Sequence, residues 1–548
     1  MRRLLSGSSG AAQAGARPVL QDAWALSPSV SLRAEPFGAT AYDFSTRQLS
    51  FLEHPRLAEL VRRLGHHPSA LQACRALGIE GSELSRFGEA LRLLAETGVL
   101  VRQGAAAPGD EPKPALRVSG DARSPAAARR RSAAAGRPLT ERLERGLPAP
   151  ICLTWELTYA CNLACVHCLS SSGRRDPDEL STRECEALID ELCELGVFYV
   201  NIGGGEPTIR RDFWHLVEYA TAHRVGVKFS TNGTRITAAA AERLAASDAV
   251  DVQLSLDGAT AEVNDAVRGA GSYATVRRAM AHLAEAGVAG FKLSVVVTRD
   301  NVGQLDDFEA LASEHGAKLR LTRLRPSGRG AAVWERLRPT PEQQHLLYEW
   351  LRARGDEVLT GDSFFHLGAY GEPLPGLNLC GAGRVVCLID PVGDVYACPF
   401  TIHEDFRAGS VRSPGGFTEV WRSSALFGAL REPTGRTGYA AHAGRSGSPG
   451  RTACTACSSF GTCRGGCMAS KHFTGLPLDG PDPECVKGHG EVPLSRVDAG
   501  SVPRPSADHS RVRSVPGPVP GSVPVVLSSP AARRTPAALL ARPASSRG

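Results

Sequence analysis

The chain has no apolar run long enough to cross a bilayer as a helix, which takes about 20 mostly apolar residues. Its start, "MRRLLSGSSGAAQAGARP", has two arginines but no continuous apolar core behind them, so a secretory signal is not expected. Net charge is also small: 63 basic against 57 acidic side chains leave +6 over 548 residues. The positive excess falls in the Pro-, Ala- and Arg-rich stretches 104–148 and 489–548. A nucleic-acid-binding domain concentrates basic charge on its folded face, so neither nucleic acid nor a membrane is expected as a partner. Without a signal, fifteen cysteines point to a reducing, cytoplasmic location and to metal binding rather than disulfides. One further absence is local. "YACNLACVHC" sets Cys161, Cys165 and Cys168 at C-x3-C-x2-C and stops at three. A structural zinc site or a closed iron–sulfur cube takes four protein ligands. Three leave one metal position open for chemistry, although a three-cysteine zinc site or a reduced structural trio would read the same way by spacing alone.

The length allows about two to four domains. Residues 1–17 are small and polar and are expected to be disordered. Residues 18–103 read as a winged-helix-like α+β module. "SVSLRAEPFGATAYDFSTRQLSFLE" gives two or three short strands with turns at Pro36–Gly38 and Ser45–Arg47, then three helices and a last strand, "VLVRQ". No dense basic recognition face accompanies them, so a peptide-recognition element, to whose sheet edge a leader peptide adds a strand, is the better reading than a DNA-binding head. Residues 104–148 read as a flexible linker. From 149 to 330 the pattern becomes six β–α units, with strands at "CLTWELTY", "FYVNIGG", "GVKFST", "DVQLSL", "FKLSVVV" and "KLRLTRL". Such an order implies a parallel sheet curved into a partial barrel. A helical connector spans 331–375, a cysteine-rich region 376–488, and a disordered tail 489–548.

Barrel folds place active sites on the loops after the strands. The three cysteines follow strand one. "GGGEP" (Gly203–Pro207), "STNG" (Ser230–Gly233) and "SLDG" (Ser255–Gly258) end strands two, three and four, with Arg268 shortly after. Glycines such as Gly204 and Gly205 let backbone approach a ligand. Glu206 can accept from an ammonium group, and Ser230, Asn232, Ser255 and Arg268 can meet a carboxylate or ribose hydroxyls. In sequence order these elements describe a site for an amino-acid nucleoside beside a metal.

C-x3-C-x2-C, GGEP and STNG at successive strand ends resemble the radical S-adenosylmethionine superfamily over roughly 152–325. That resemblance implies a [4Fe–4S] cluster on Cys161, Cys165 and Cys168 whose fourth iron is chelated by S-adenosylmethionine. His167 stands where many members have an aromatic residue. No catalytic residue is assigned beyond the cluster. The later pattern, Cys380-x12-Gly393-x4-Cys398 and Cys454-x2-Cys457-x5-Cys463-x3-Cys467, then Cys485, resembles the SPASM domain. By position, this implies two auxiliary iron–sulfur clusters: Cys380, Cys398 and Cys467 at the first, with Cys387 available to complete it, and Cys454, Cys457, Cys463 and Cys485 at the second. Two structural zinc sites could use similar spacing. Cys74, Cys152, Cys185 and Cys193 are expected to be small core residues.

"LTWELTYACNLACVHCLSSSGRRDP", "LRLTRLRPSGRGA" and "LPGLNLCGAGRVVCLIDPVGDVYACPF" are similar to the mycofactocin radical maturases over about 150–487. Residues 18–103 resemble the PQQ-chaperone-like partners of that pathway, which are usually separate chains. The resemblance implies a ribosomal precursor peptide ending in Val-Tyr and a low-potential electron donor. The 5′-deoxyadenosyl radical would abstract hydrogen from the terminal tyrosine. Loss of CO2 and an electron would then give an unsaturated tyramine, and a second activation would join valine and tyramine units by a C–C bond. Arg323 or Arg325 of "RLRPSGRG" could hold the peptide carboxylate or make a structural salt bridge. Rival readings are another SPASM-type peptide-modifying enzyme, making PQQ-type or thioether crosslinks, and a non-enzymatic iron–sulfur regulator.

Overall fold

The structure is a computed structural model and describes residues 2–4, 19–103, 143, 145–288, 290–360, 362–374, 380–432, 454 and 456–488. The expected tail 489–548, most of the expected linker 104–148 and residues 433–453 lie outside the described residues.

The N-terminal module contains β1 (Arg2–Leu4), β2 (Trp24–Leu26), β3 (Val30–Glu35), β4 (Gly38–Asp43), β5 (Gln48–Leu52) and β6 (Leu100–Arg102), with helices Pro55–Arg63, Ala70–Ala76 and Ser82–Glu96. β3, β4 and β5 form the antiparallel meander expected from sequence, and β2 pairs with β6. Residues 2–4 depart from the disordered reading: they add to the outer edge of β5 as a short parallel strand. Alternation divides the meander's faces. Ala39, Ala41 and Leu52 face the helices, in one core with Leu57, Leu60, Phe87 and Leu91. Phe37, Tyr42 and Phe51 face the other way, into a second core with Ile151, Phe198 and Val385.

The six expected barrel strands are β7 (Cys152–Thr158), β8 (Tyr199–Gly204), β9 (Gly226–Thr231), β10 (Val250–Ser255), β11 (Lys292–Val297) and β12 (Lys318–Arg323). They are parallel and hydrogen-bonded in sequence order. Helices follow the strands, and the first, Thr182–Glu194, starts with the Ser181–Glu184 capping box. Its buried face carries Cys185, Leu188, Ile189 and Leu192. Cys193 is not a core residue as expected; one position after Leu192 it is turned about 100° round the helix and is exposed. The apolar strand positions Leu153, Trp155, Val200, Ile202, Val227 and Phe229 belong to the core formed with the helices.

The sheet does not stop at six strands. β13 (Leu359–Thr360) adds beyond β12, while β14 (Leu388–Ile389), β15 (Asp394–Tyr396) and β16 (Arg407–Ser410) extend the β7 edge. The cysteine-rich region, unpatterned by sequence, thus begins as a continuation of the barrel sheet. Gly393 of the C-x12-G-x4-C motif is the turn of the β14–β15 hairpin. It has φ +90° and donates its N–H to Asp390 O at 3.0 Å. A Cβ there would approach Val411 to 2.8 Å.

Candidate functional site

The loop after β7 is bound at both ends. Cys161 N–H donates to Gly173 O (3.0 Å), Gly173 N–H to Tyr159 O (2.8 Å), and Val166 N–H to Val267 O (3.0 Å). From the far side of the barrel, Arg329 donates its Nε–H to Cys165 O and its backbone N–H to Cys168 O, both at 2.9 Å. Gly328 (φ +56°) lies so close that a Cβ would stand 2.3 Å from Leu169 O. "PSGRG" is therefore a clamp on the cysteine loop, a role the sequence reading missed; two glycines around an arginine at a strand end were the available signal. The three thiols interact electrostatically with one another. Burial pushes Cys161 up to about 11 and raises Cys165 too, against the pull of Arg268. A metal that binds thiolate removes this penalty by replacing the proton.

The strand-end motifs act largely on the protein itself. A Cβ on Gly205 would stand 2.0 Å from Ala160 O, and one on Gly204 (φ +104°) 2.6 Å from Thr158 O. Both glycines are needed for the backbone of β8 to pass the residues leading into Cys161. Gly203 is the position with open space beside it. Glu206 is only 1% exposed. Its Oε1 accepts from Thr208 N–H, Thr208 Oγ–H and Thr231 Oγ–H, and its Oε2 from Asn232 N–H at 2.7 Å. Glu206 thus ties the ends of β8 and β9 together, and its second oxygen retains acceptor capacity. Asn232 donates from Nδ2 to Asn162 Oδ1 inside the cysteine loop (2.8 Å).

Arg268 is committed differently from the expectation of a carboxylate or ribose contact: its Nε lies 2.7 Å from Asp257 Oδ2. His167 Nε2 lies at the same distance from that oxygen. Burial alone would raise Asp257, but Arg268 and His167 hold its carboxyl well below the usual range. The cysteine loop therefore rests on a buried His–Asp–Arg group, in which the sequence reading gave a site role to Arg268 and noted His167 only as a departure from the family's aromatic position. Ser230 and Ser255 are half-buried near the C-terminal ends of β9 and β10, and Ser230 Oγ accepts from Gln253 Nε2 at 3.3 Å.

Of the later cysteines, Cys398 lies close enough to Cys467 and Cys380 to interact electrostatically with both. Cys398 Sγ accepts Phe400 N–H at 3.3 Å, and Cys467 N–H donates to Asp482 at 2.7 Å. Cys387 does not join them. It is fully buried in the barrel core, near Cys152 and the Arg431 guanidinium, because its position just before β14 carries it against β7. Cys454, Cys457, Cys463 and Cys485 line one cavity, with His366, Asp482 and Gly466.

Zn–S bonds of about 2.3 Å bring tetrahedral ligand sulfurs to about 3.8 Å of one another. Among the described residues, the group of three or more His, Cys, Asp or Glu ligand atoms lying within 4.8 Å is His403, Asp405 and His472. The cysteine sets fit a thiolate-bound metal group by the chemistry of their donor atoms. His403 Nδ1 already accepts the Asp405 N–H at 3.2 Å.

Arg323, at the end of β12, binds Asp482 (Nη1–Oδ2, 2.9 Å) and Glu484, and all three are buried. It is a structural cation joining the barrel to the segment between Cys467 and Cys485. Arg325 is different. It is 4% exposed, stacks on Phe400 at 4.1 Å and donates to Ser470 Oγ at 3.2 Å, while its Nε has no hydrogen-bond partner.

Comparison with known proteins agrees with this geometry. Residues 155–312 match the radical SAM superfamily and residues 23–101 the peptide chaperone MftB family. The chain is 66% identical over 386 residues to "Mycofactocin maturase MftC" of Mycobacterium tuberculosis, covering 70% of this chain and 94% of that relative. It is 31% identical over 331 residues to an "AdoMet-dependent heme synthase" of Nitratidesulfovibrio vulgaris, covering 54% of this chain and 86% of the other. In fold it resembles SuiB of Streptococcus suis bound to precursor peptide SuiA, with TM-score 0.57, 17% identity, and 84% of this chain and 99% of SuiB covered.

Proposed function

The chain belongs to the mycofactocin maturase family of radical S-adenosylmethionine enzymes, and on that premise we propose that it decarboxylates the C-terminal tyrosine of a precursor peptide ending in Val-Tyr and then crosslinks valine and tyramine units. It is an enzyme that modifies a peptide in mycofactocin biosynthesis, with a peptide-chaperone module at its N-terminus. The observation that carries the finer reading is the convergence of Cys161, Cys165 and Cys168 at the strand ends, on a loop held by Glu206, Asn232 and Arg329.

In this reading Cys161, Cys165 and Cys168 hold a [4Fe–4S] cluster, which with S-adenosylmethionine supplies the hydrogen-abstracting radical. The protein's own part is to bind, orient and exclude water. Gly203, Ser230 and Ser255 face the cosubstrate. Arg325 receives the peptide's terminal carboxylate. A buried guanidinium needs a counter-charge, and no carboxylate among the described residues lies within ion-pair distance of it, whereas Arg323 already has two. Cys380, Cys398 and Cys467 would hold an auxiliary group able to accept the electron released with CO2, beside Arg325 through Phe400 and Ser470.

The test is anaerobic reconstitution with dithionite, S-adenosylmethionine and precursor, read by mass spectrometry. The intact chain should form 5′-deoxyadenosine and a peptide lacking its terminal carboxyl. Replacing Cys161, Cys165 and Cys168 by Ala should abolish both; normal cleavage in that variant would sink the reading. Arg325→Ala should keep S-adenosylmethionine cleavage but raise the peptide KM by at least tenfold, with partial recovery in Arg325→Lys. An unchanged KM removes Arg325 from the site.

A further inference from the structure

Four cysteines account for a complete ligand set at the cavity of Cys454, Cys457, Cys463 and Cys485, so a fifth group there is in excess of what a closed cluster needs. His366 is that group. It comes from a different part of the chain, the turn-rich segment Asp362–Tyr370 beside the last barrel strands. Its ring lines the cavity, yet it is 4% exposed and its Nδ1 has no hydrogen-bond partner among the described residues. A buried imidazole nitrogen without a partner is costly, and native structures rarely leave one. The other candidate acceptor lining the cavity is Asp482, which already receives Arg323, the Cys467 N–H and the Glu484 N–H. Among the side chains lining the cavity, what remains for His366 is sulfur: the cysteine thiolates and whatever they hold.

We propose that His366 donates an imidazole N–H to the sulfur of the iron–sulfur group held by Cys454, Cys457, Cys463 and Cys485, and thereby raises that group's reduction potential. This rests on the reading of those cysteines as cluster ligands. Hydrogen bonds to cluster and thiolate sulfur stabilise the added negative charge of the reduced state, so removing one favours the oxidised state. His366 is a positioning and tuning residue, not a ligand.

The experiment uses the full chain with Cys161, Cys165 and Cys168 replaced by Ala, reconstituted anaerobically, so that only auxiliary iron contributes. The signal lost in Cys457→Ala identifies the group concerned. Iron per chain and a potentiometric titration followed by electron paramagnetic resonance are then measured for His366→Phe and His366→Asn. The Phe variant should keep its iron and be about tenfold harder to reduce at a fixed poise, a difference of about 59 mV for one electron. The Asn variant, whose amide N–H stands near the place of Nδ1, should titrate close to the parent. If the Phe variant fails to load, His366→Ala is compared in its place. A parent-like potential in the apolar variant overturns the proposal. Iron loss in Ala and Asn variants alike makes His366 a ligand and also overturns it. If Cys457→Ala leaves iron and every signal unchanged, it is the four-cysteine reading that fails, and this proposal with it.

Discussion

At the scale of single residues, burial sets the charge state of two carboxyls behind the cysteine loop. Glu156 of β7 is 4% exposed and its Oε2 accepts no hydrogen bond; burial, with Asp390 nearby, pushes it up to about 8. Burial likewise pushes Asp390 up to about 7, although Tyr159 donates its hydroxyl to it at 2.8 Å. A carboxyl whose folded pKa is raised binds its proton more tightly when folded. Its stabilising effect is complete below the unfolded value near 4.5 and is lost as pH rises towards the folded value near 8. Glu156→Gln should therefore leave stability at pH 4.5 almost unchanged and raise it by a few kcal/mol at pH 8, because each tenfold change in proton affinity is worth about 1.36 kcal/mol. Urea melts of both proteins at the two pH values check this; an equal difference at both would mean that Glu156 does not titrate across the window. Nothing in "LTWELTY" announces the raised value, because it depends on burial by the folded chain and, after that, on Asp390, 234 residues away in sequence. Cys387 was misread for the matching reason. Spacing gave it to the first auxiliary set, but the pairing of β14 with β7 turns it into the core.

At the scale of elements, what was legible followed period and what was not followed contact. The six barrel strands and the meander of the N-terminal module are where alternating apolar runs put them, since a strand's two faces are written locally. β14 to β16 are two to four residues long, too short to carry a period, and they exist because β7 offers an edge. The glycine-rich strand ends were recognised as a site, but the cause was hidden. Gly205 serves the backbone of Ala160, and Gly328 serves that of Leu169, each on the loop of a different strand from its own. These contacts predict a specific failure. Gly205→Ala forces a Cβ onto Ala160 O and must displace the chain entering Cys161. It should lose the iron assigned to Cys161, Cys165 and Cys168 while keeping the auxiliary iron and a cooperative thermal transition. Gly203→Ala, with nothing within 4 Å, should keep all the iron. Iron analysis of the two variants separates close packing from a general intolerance of the GGGEP loop.

At the scale of the whole molecule, the N-terminal module is a fixed part of the enzyme's base. Phe37, Tyr42 and Phe51 share a buried core with Ile151 and Phe198, the residues that precede β7 and β8. Arg33 donates to Pro150 O at 2.7 Å, and Arg47 pairs with Asp251, which also takes Lys292 at 2.6 Å. All of these partners lie at the N-terminal ends of the barrel strands, whereas the cysteine loop lies at the C-terminal ends. Six residues at about 3.3 Å each put these levels about 20 Å apart. A linker acting only as a tether would leave the module free to approach the site; the docked position instead fixes where a leader peptide can begin. The outer edge of β5 pairs with Arg2–Leu4, so a leader that adds a strand to β5 would have to take that place. From there the precursor must span the height of the barrel in extended chain, at no more than about 3.6 Å per residue. Precursors with fewer than about six residues between the leader and the C-terminal residues to be modified should bind but remain unmodified, and lengthening the spacer should restore product. Tyr42→Asp should separate docking from chemistry: an ionised carboxylate in the Phe198–Tyr199 contact releases the module, leaving S-adenosylmethionine cleavage intact and reducing peptide modification at least tenfold. Small-angle scattering would show the release as a larger radius of gyration. If the released module supports modification as well as the docked one, the tether alone delivers the peptide and the interface serves only stability.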